Sequence, residues 1–117
     1  MTEVIPMPND ALVAECPVRA VGPVQKVLAA IHDPVRLEVV RRLYNAECPL
    51  QCGALYDGIN KSTATHHFKI LREAGVTERL VIDGLTYQKL RVDEVESALP
   101  GLLASVVGGA NRDAALQ

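Results

Sequence analysis

TERLVIDGLTYQKLRV, residues 77–92, constrains the fold more tightly than any other stretch of the chain. Two β-prone runs stand either side of Asp83-Gly84. An Asp-Gly pair suits the two left-handed conformations of a two-residue type I′ turn, so the stretch predicts a short antiparallel hairpin. The preceding segment has a different period. In KSTATHHFKILREAG, residues 61–75, Ala64, Phe68, Leu71 and Ala74 recur at helical spacing. That helix starts at Lys61 or Ser62 and stops at Gly75, a residue type suited to a helix C-terminus.

Further upstream, HDPVRLEVVRRLYNA opens with Asp33 as N-cap and Pro34 at the first helical position. Leu37, Val40, Leu43 and Tyr44 fall on one face of this helix. An earlier helix runs from the Pro17–Pro23 region to Ile31, with Val24, Val27, Leu28 and Ile31 at helical spacing. Pro49 also suits a first turn, which predicts a short helix over PLQCGALYDG ending near Gly58. After the hairpin, Asp93 is expected to cap a final helix, DEVESAL, that Pro100-Gly101 interrupts before LLASVV. Residues 1–15 read as an N-terminal arm and 108–117 as a flexible, frayed tail. With 117 residues, the chain suffices for one core, placed in a single domain over 16–107.

The net charge of −2 weighs against a nucleic-acid partner until its distribution is considered. Between Asn60 and Arg91 the bases are Lys61, Lys69, Arg72, Arg79, Lys89 and Arg91, against Glu73, Glu78 and Asp83. Asp93, Glu94 and Glu96 follow at once, so the chain is polarised with its basic half around the 61–75 helix. No apolar run approaches the ~20 residues that span a bilayer. The acidic start MTEVIPMPND lacks the basic and apolar regions of a signal peptide. A cytoplasmic protein with reduced Cys16, Cys48 and Cys52 is expected, without a membrane partner. No nucleophile, Gly-rich loop or carboxylate pair assembles a catalytic set, so an enzyme is not expected.

A short helix, a turn and a longer helix form a helix-turn-helix, and the hairpin after it makes the winged version. The fold expected is therefore mainly α, of the α+β kind, with a two-stranded wing. Its second helix fits the major groove of double-stranded DNA, with its N-terminal residues at base edges. Ser62, Thr63, Thr65 and His66 supply small hydroxyls and an imidazole there. Lys61, Lys69, Arg72 and Arg79 supply cations for phosphate, and the Asp83-Gly84 tip reaches the adjacent minor groove or backbone. His67 lies beside the apolar stripe, where packing and DNA contact both stand as readings. Ser62 could also serve as the helix cap. Metal binding by the adjacent histidines is disfavoured: neighbouring helical side chains point about 100° apart, whereas helical ligand pairs favour i,i+4.

HDPVRLEVVRRL, PLQCGAL, NKSTATHHFKILREAGV and the hairpin together resemble the ArsR/SmtB family of bacterial transcriptional repressors over about residues 24–107. The resemblance implies a homodimer paired through the first and last helices, binding an operator and releasing it on metal binding or oxidation. It puts Ser62, Thr63, Thr65 and His66 where the family contacts DNA, Lys69 on a frequent basic position, and Gly75 on the glycine before the wing. His67 falls on the family's usual histidine in this helix. The C-x-C metal positions fall on Gln51 and Gly53, and the final helix has no histidine, so the sequence departs from the family at both usual metal sites and no cofactor is assigned. The thiols leave three readings. In the first, Cys52 is a plain core thiol. Cys48, at the N-terminus of the predicted short helix, could form a redox switch with Cys52 or Cys16. Cys16, Cys48 and Cys52, with His32, could instead form a thiolate metal site. The rival from another class is a winged-helix module for protein–protein contact.

Overall fold

Asp33 and Pro34 open the helix around which the molecule is built. The computed structural model describes Val13–Ala14 and residues 19–116. In chain order its elements are β1 (Val13–Ala14), α1 (Val24–His32), α2 (Pro34–Ala46), β2 (Leu50–Gln51), a 3-10 turn (Cys52–Ala54), α3 (Lys61–Glu73), β3 (Thr77–Ile82), β4 (Leu85–Leu90), α4 (Val92–Ala98) and α5 (Leu102–Ala115). The architecture is a mainly helical α+β winged helix-turn-helix. β3 and β4 are the wing, joined through Asp83 at φ 52° and Gly84 at φ 80°, both positive as a type I′ turn requires. One antiparallel sheet runs in the order β1-β3-β4-β2. Val13 and Ala14, inside the expected arm, pair with Val81 and Leu80 of the wing.

The core lies between the helices and the base of the wing. Val27, Val39, Val40, Leu43, Leu55, Leu71, Val76, Val95, Leu103 and Val107 are all buried in one cluster. α3 contributes Ala64, Phe68 and Leu71 to it, the stripe its spacing predicts. Its C-terminus ends in a Schellman motif: Val76 N donates to Leu71 O at 3.1 Å and Gly75 N to Arg72 O at 3.0 Å. Leu71 and Val76 are both fully buried, the apolar contact that accompanies this ending.

Several expectations need correction. The short helix over PLQCGALYDG does not form. Leu50 and Gln51 pair with Gln88 and Tyr87 of β4, and only a 3-10 turn follows. The free edge of the wing takes the backbone that a helix would have used. Asp93 is not a cap, since α4 begins at Val92 after Arg91 with no side-chain cap. The expected tail is helical through Ala115. The Glu96 carboxylate receives Gly101 N at 2.8 Å and Leu103 N at 3.0 Å, which caps α5. Asn111, two turns further on, accepts from Arg41 Nη1 at 3.2 Å and from Asn45 Nδ2 at 2.9 Å, tying α5 to α2.

The same face of α2 carries a charged cluster. Glu38 receives Arg41 at 2.9 and 2.8 Å and Arg42 at 2.7 Å. The Arg41 hydrogen bond leads in holding the Glu38 carboxyl down at about 2, against some opposition from burial. A depressed folded-state value contributes stability that is present above the ordinary value of 4.5 and lost as pH falls toward 2. Solvent screening limits the contribution to about 1 kcal/mol. Glu38→Gln should therefore narrow the urea-midpoint difference from wild type between pH 5 and pH 3. A constant difference would remove Glu38 from the acid response.

Candidate nucleic-acid interface

α3 is presented by two anchoring networks, one at each side of its entry. On the first, Asp33 Oδ2 accepts from Val35 N at 2.8 Å and Arg36 N at 3.2 Å, capping α2. Burial pushes the Asp33 carboxyl up, but these amide bonds and the nearby Arg36 charge outweigh it and hold the group below its usual range. Arg36 then reaches back to the C-terminal carbonyls of α1, with Nε donating to Ala30 O at 2.6 Å and Nη2 to Ala29 O at 3.5 Å. Its Nη1 lies 2.9 Å from His67 Nδ1 on α3. A guanidinium has no acceptor, so that ring nitrogen receives the bond. His67 is thus packed and hydrogen-bonded, half-buried, and not on the outward face. The Asp33-Pro34-x-Arg36 start joins three helices.

On the second side, Arg42 Nη1 donates to Ala54 O at 3.1 Å and Nη2 to Asp57 Oδ2 at 2.7 Å. These bonds hold the 3-10 turn and the bend that lead into α3. The helix is capped by Asn60, whose side chain accepts from Thr63 N at 2.8 Å, so Ser62 is not the cap.

At about 100° per residue, Ser62, Thr65, His66, Lys69 and Glu73 share one side of α3 opposite its buried stripe. The first four of these are exposed, and Lys61 and Thr63 are also exposed on the two flanks. Thr65 Oγ1 donates to Lys61 O at 2.9 Å, which commits its proton but leaves its oxygen lone pairs able to accept, and Thr65 also borders the cleft beside the wing. Lys69 Nζ stands 4.0 Å from Glu73 Oε2. Arg72 and Arg79 lie elsewhere: with Lys61 they line a cleft of about 500 Å³ between α3, the 3-10 turn and the wing. Asp83 and Gly84 are exposed at the wing tip. Arg91, one of the six bases in the polarised segment, is 7% exposed. It donates to Gly75 O at 2.8 Å and to Arg19 O, a structural role that its sequence position did not signal.

Cys48 and Cys52 are free thiols, each half-buried. Cys48 follows Glu47, the left-handed C-cap of α2, and precedes a strand. The positive backbone charge of a helix N-terminus is therefore absent beside it. Cys52 lines the cleft, where its Sγ accepts from Gln88 Nε2 at 3.7 Å. Cys16 lies outside the described residues. Among the described residues no group of three or more His, Cys, Asp or Glu side chains is placed to hold a metal ion. No described helix is long and apolar enough to cross a membrane.

Comparison with known proteins points the same way. Residues 31–79 match a family described as a helix-turn-helix domain. Over 83 residues the chain is 37% identical to an uncharacterized HTH-type transcriptional regulator, YceK, of Bacillus subtilis (strain 168), covering 69% of this chain and 83% of that protein. The crystal structure of the transcriptional repressor BigR from Xylella fastidiosa is similar at a TM-score of 0.51 and 25% identity, covering 65% of this chain and 85% of that one. These relatives are named for regulating transcription, not for catalysis.

Proposed function

The chain belongs to the helix-turn-helix transcriptional regulators, which bind DNA, and from that premise we propose that it is an ArsR-type repressor binding a palindromic operator as a cytoplasmic homodimer. The observation that carries this reading is the side of α3 bearing Ser62, Thr65, His66 and Lys69, exposed while Ala64, Phe68 and Leu71 are buried. In the major groove, His66 and Thr65 meet base edges and Lys69 meets phosphate. Lys61 and Ser62 approach the backbone near the start of α3, with Thr63 on its flank. Arg72 and Arg79 add positive charge from the cleft side.

Pairing through the first and last helices accords with Val24 and Leu28, 48% and 46% exposed and one turn apart on α1, and with Leu116 at the end of α5. Burial of these residues in a dimer would remove exposed apolar surface from water. Leu28→Glu should then give monomers in sedimentation equilibrium.

The test of DNA reading is fluorescence anisotropy with duplex from upstream of the protein's own coding sequence, over a salt series. Lys69→Ala should weaken all duplexes alike and reduce the salt slope by about one. His66→Ala should relax base preference with a cost of about 1–3 kcal/mol on the best site. Asp83→Asn should tighten binding by a few fold, roughly 1 kcal/mol, because asparagine keeps the left-handed turn and removes an acid facing phosphate. Salt-insensitive binding, or none to any duplex, contradicts the proposal.

Switching by thiol oxidation is the second part of the reading. Cys52 is the favoured thiol, because it lies in the cleft beside α3 and accepts a hydrogen bond there. Cys48 and Cys16 are its candidate partners. Equal operator binding by oxidised and reduced protein would discard the switch and leave the DNA reading intact.

A further inference from the structure

The cleft between α3 and the wing has three features that a DNA phosphate alone does not satisfy. Its volume, about 500 Å³, is room enough for a small molecule. Tyr56 and Phe68 line it as an edge-to-face aromatic pair, with ring centroids 6.1 Å apart. Gln88, 1% exposed, also lines it. Its Nε2 donates to Cys52 Sγ, but its Oε1 is buried with no hydrogen-bond partner among the described residues. An orphaned buried acceptor of this kind calls for a donor. A phosphodiester brings negative charge but neither an N–H or O–H donor nor an apolar face. Lys61 and Arg72 bring cationic groups to the same space.

We propose that this cleft is an effector site for a small aromatic acid carrying a hydroxyl or amino donor. The carboxylate pairs with Lys61 and Arg72, the ring lies against Tyr56 and Phe68, and the donor meets Gln88 Oε1 after a small adjustment of the carboxamide. Bound there, the acid neutralises cations that the proposed DNA reading uses and fills the space between recognition helix and wing. Its effect on DNA rests on that reading, whereas its binding to the free protein does not.

The probe is 4-hydroxybenzoate, compared with 4-hydroxybenzamide, which lacks the charge, and benzoate, which lacks the donor. Calorimetry and amide chemical shifts are read on the full chain without DNA. The expected result is saturable binding of 4-hydroxybenzoate, about tenfold tighter than either control, with shifts at Cys52, Tyr56, Phe68 and Gln88. Arg72→Gln and, separately, the exposed Lys61→Gln should each weaken the acid several-fold and leave the amide unchanged. Anisotropy with duplex then measures competition, with the acid raising the apparent Kd for DNA. No binding, equal binding of all three compounds, or shifts mapping elsewhere overturns the site. Binding in the cleft with undiminished DNA affinity overturns the effector role. Failure of the protein to bind DNA at all would count against the function proposed above while leaving the binding result readable.

Discussion

Gly75→Ala should cost the fold about 3 kcal/mol and lower Tm by roughly 15 °C. Two effects add at this position. Gly75 has φ +82°, a left-handed conformation that an alanine adopts only with strain. A Cβ there would also meet main chain: it would collide with Ala20 O and come within 2.7 Å of Val21 Cα. Main-chain atoms cannot swing aside like the end of a long side chain, and this strand of chain is pinned. Gly22 N donates to Ala74 O at 3.1 Å, and Arg91 bridges Arg19 O and Gly75 O. Gly58→Ala is the matched control. Its φ is +78°, but an added Cβ meets nothing within 4 Å, so conformational strain alone remains, about 1 kcal/mol. Equal losses in urea unfolding for the two variants would mean that the close approach at Gly75 contributes nothing.

The second large effect is expected at Arg36. Arg36→Ala removes donors to Ala29 O, Ala30 O and His67 Nδ1 together. Hydrogen bonds from a charged donor contribute about 1.5–3 kcal/mol each at most, and the weakest here is 3.5 Å long. A total loss of about 2–4 kcal/mol follows, measured by urea unfolding. Arg36→Lys should recover less than half of it, because an ammonium cannot serve three acceptors spread around a planar fork. His67→Ala removes only the contact to α3 and should cost less, about 1 kcal/mol. The order Arg36→Ala, then Arg36→Lys, then His67→Ala is the checkable result. Similar losses for Arg36→Ala and His67→Ala would assign the anchor to the imidazole instead.

The parts of the fold legible in the sequence were those specified by neighbours in the chain. Asp33-Pro34 starts α2, Ala64, Phe68 and Leu71 set the buried side of α3, and Asp83-Gly84 turns the wing. Each rests on a cap, a period or a two-residue turn. The parts misread depend on distant partners. Leu50-Gln51 is a strand only because Gln88 and Tyr87 offer an open edge. α5 continues past Gly108-Gly109, where intrinsic propensity favours an end, because Asn111 is held by Arg41 and Asn45 of α2. Asn60 rather than Ser62 caps α3, a shift within the usual uncertainty of helix ends. Arg91 looked like one more surface base, and nothing local marks it as the residue bonded to the Gly75 carbonyl.

The candidate site was legible to a similar degree. The periodicity that buries Phe68 necessarily turns Ser62, His66 and Lys69 away from it. The cleft was not foreseen, because it is bounded by α3, the 3-10 turn and the wing, and appears only once Leu50-Gln51 joins the sheet. Cys48 lacks the helix N-terminus expected beside it for the same cause: a strand, not a helix, follows it.

The outward side of α3 as the DNA-reading surface is tested most directly by amide NMR of the protein titrated with duplex from upstream of its own coding sequence, at near-physiological salt. The largest shifts should fall on Ser62, Thr65, His66 and Lys69, with a smaller set at the Asp83-Gly84 tip and none along the Val24–Leu28 side of α1. Shifts concentrated on α1 or α4, with the 61–69 amides unmoved, would contradict it.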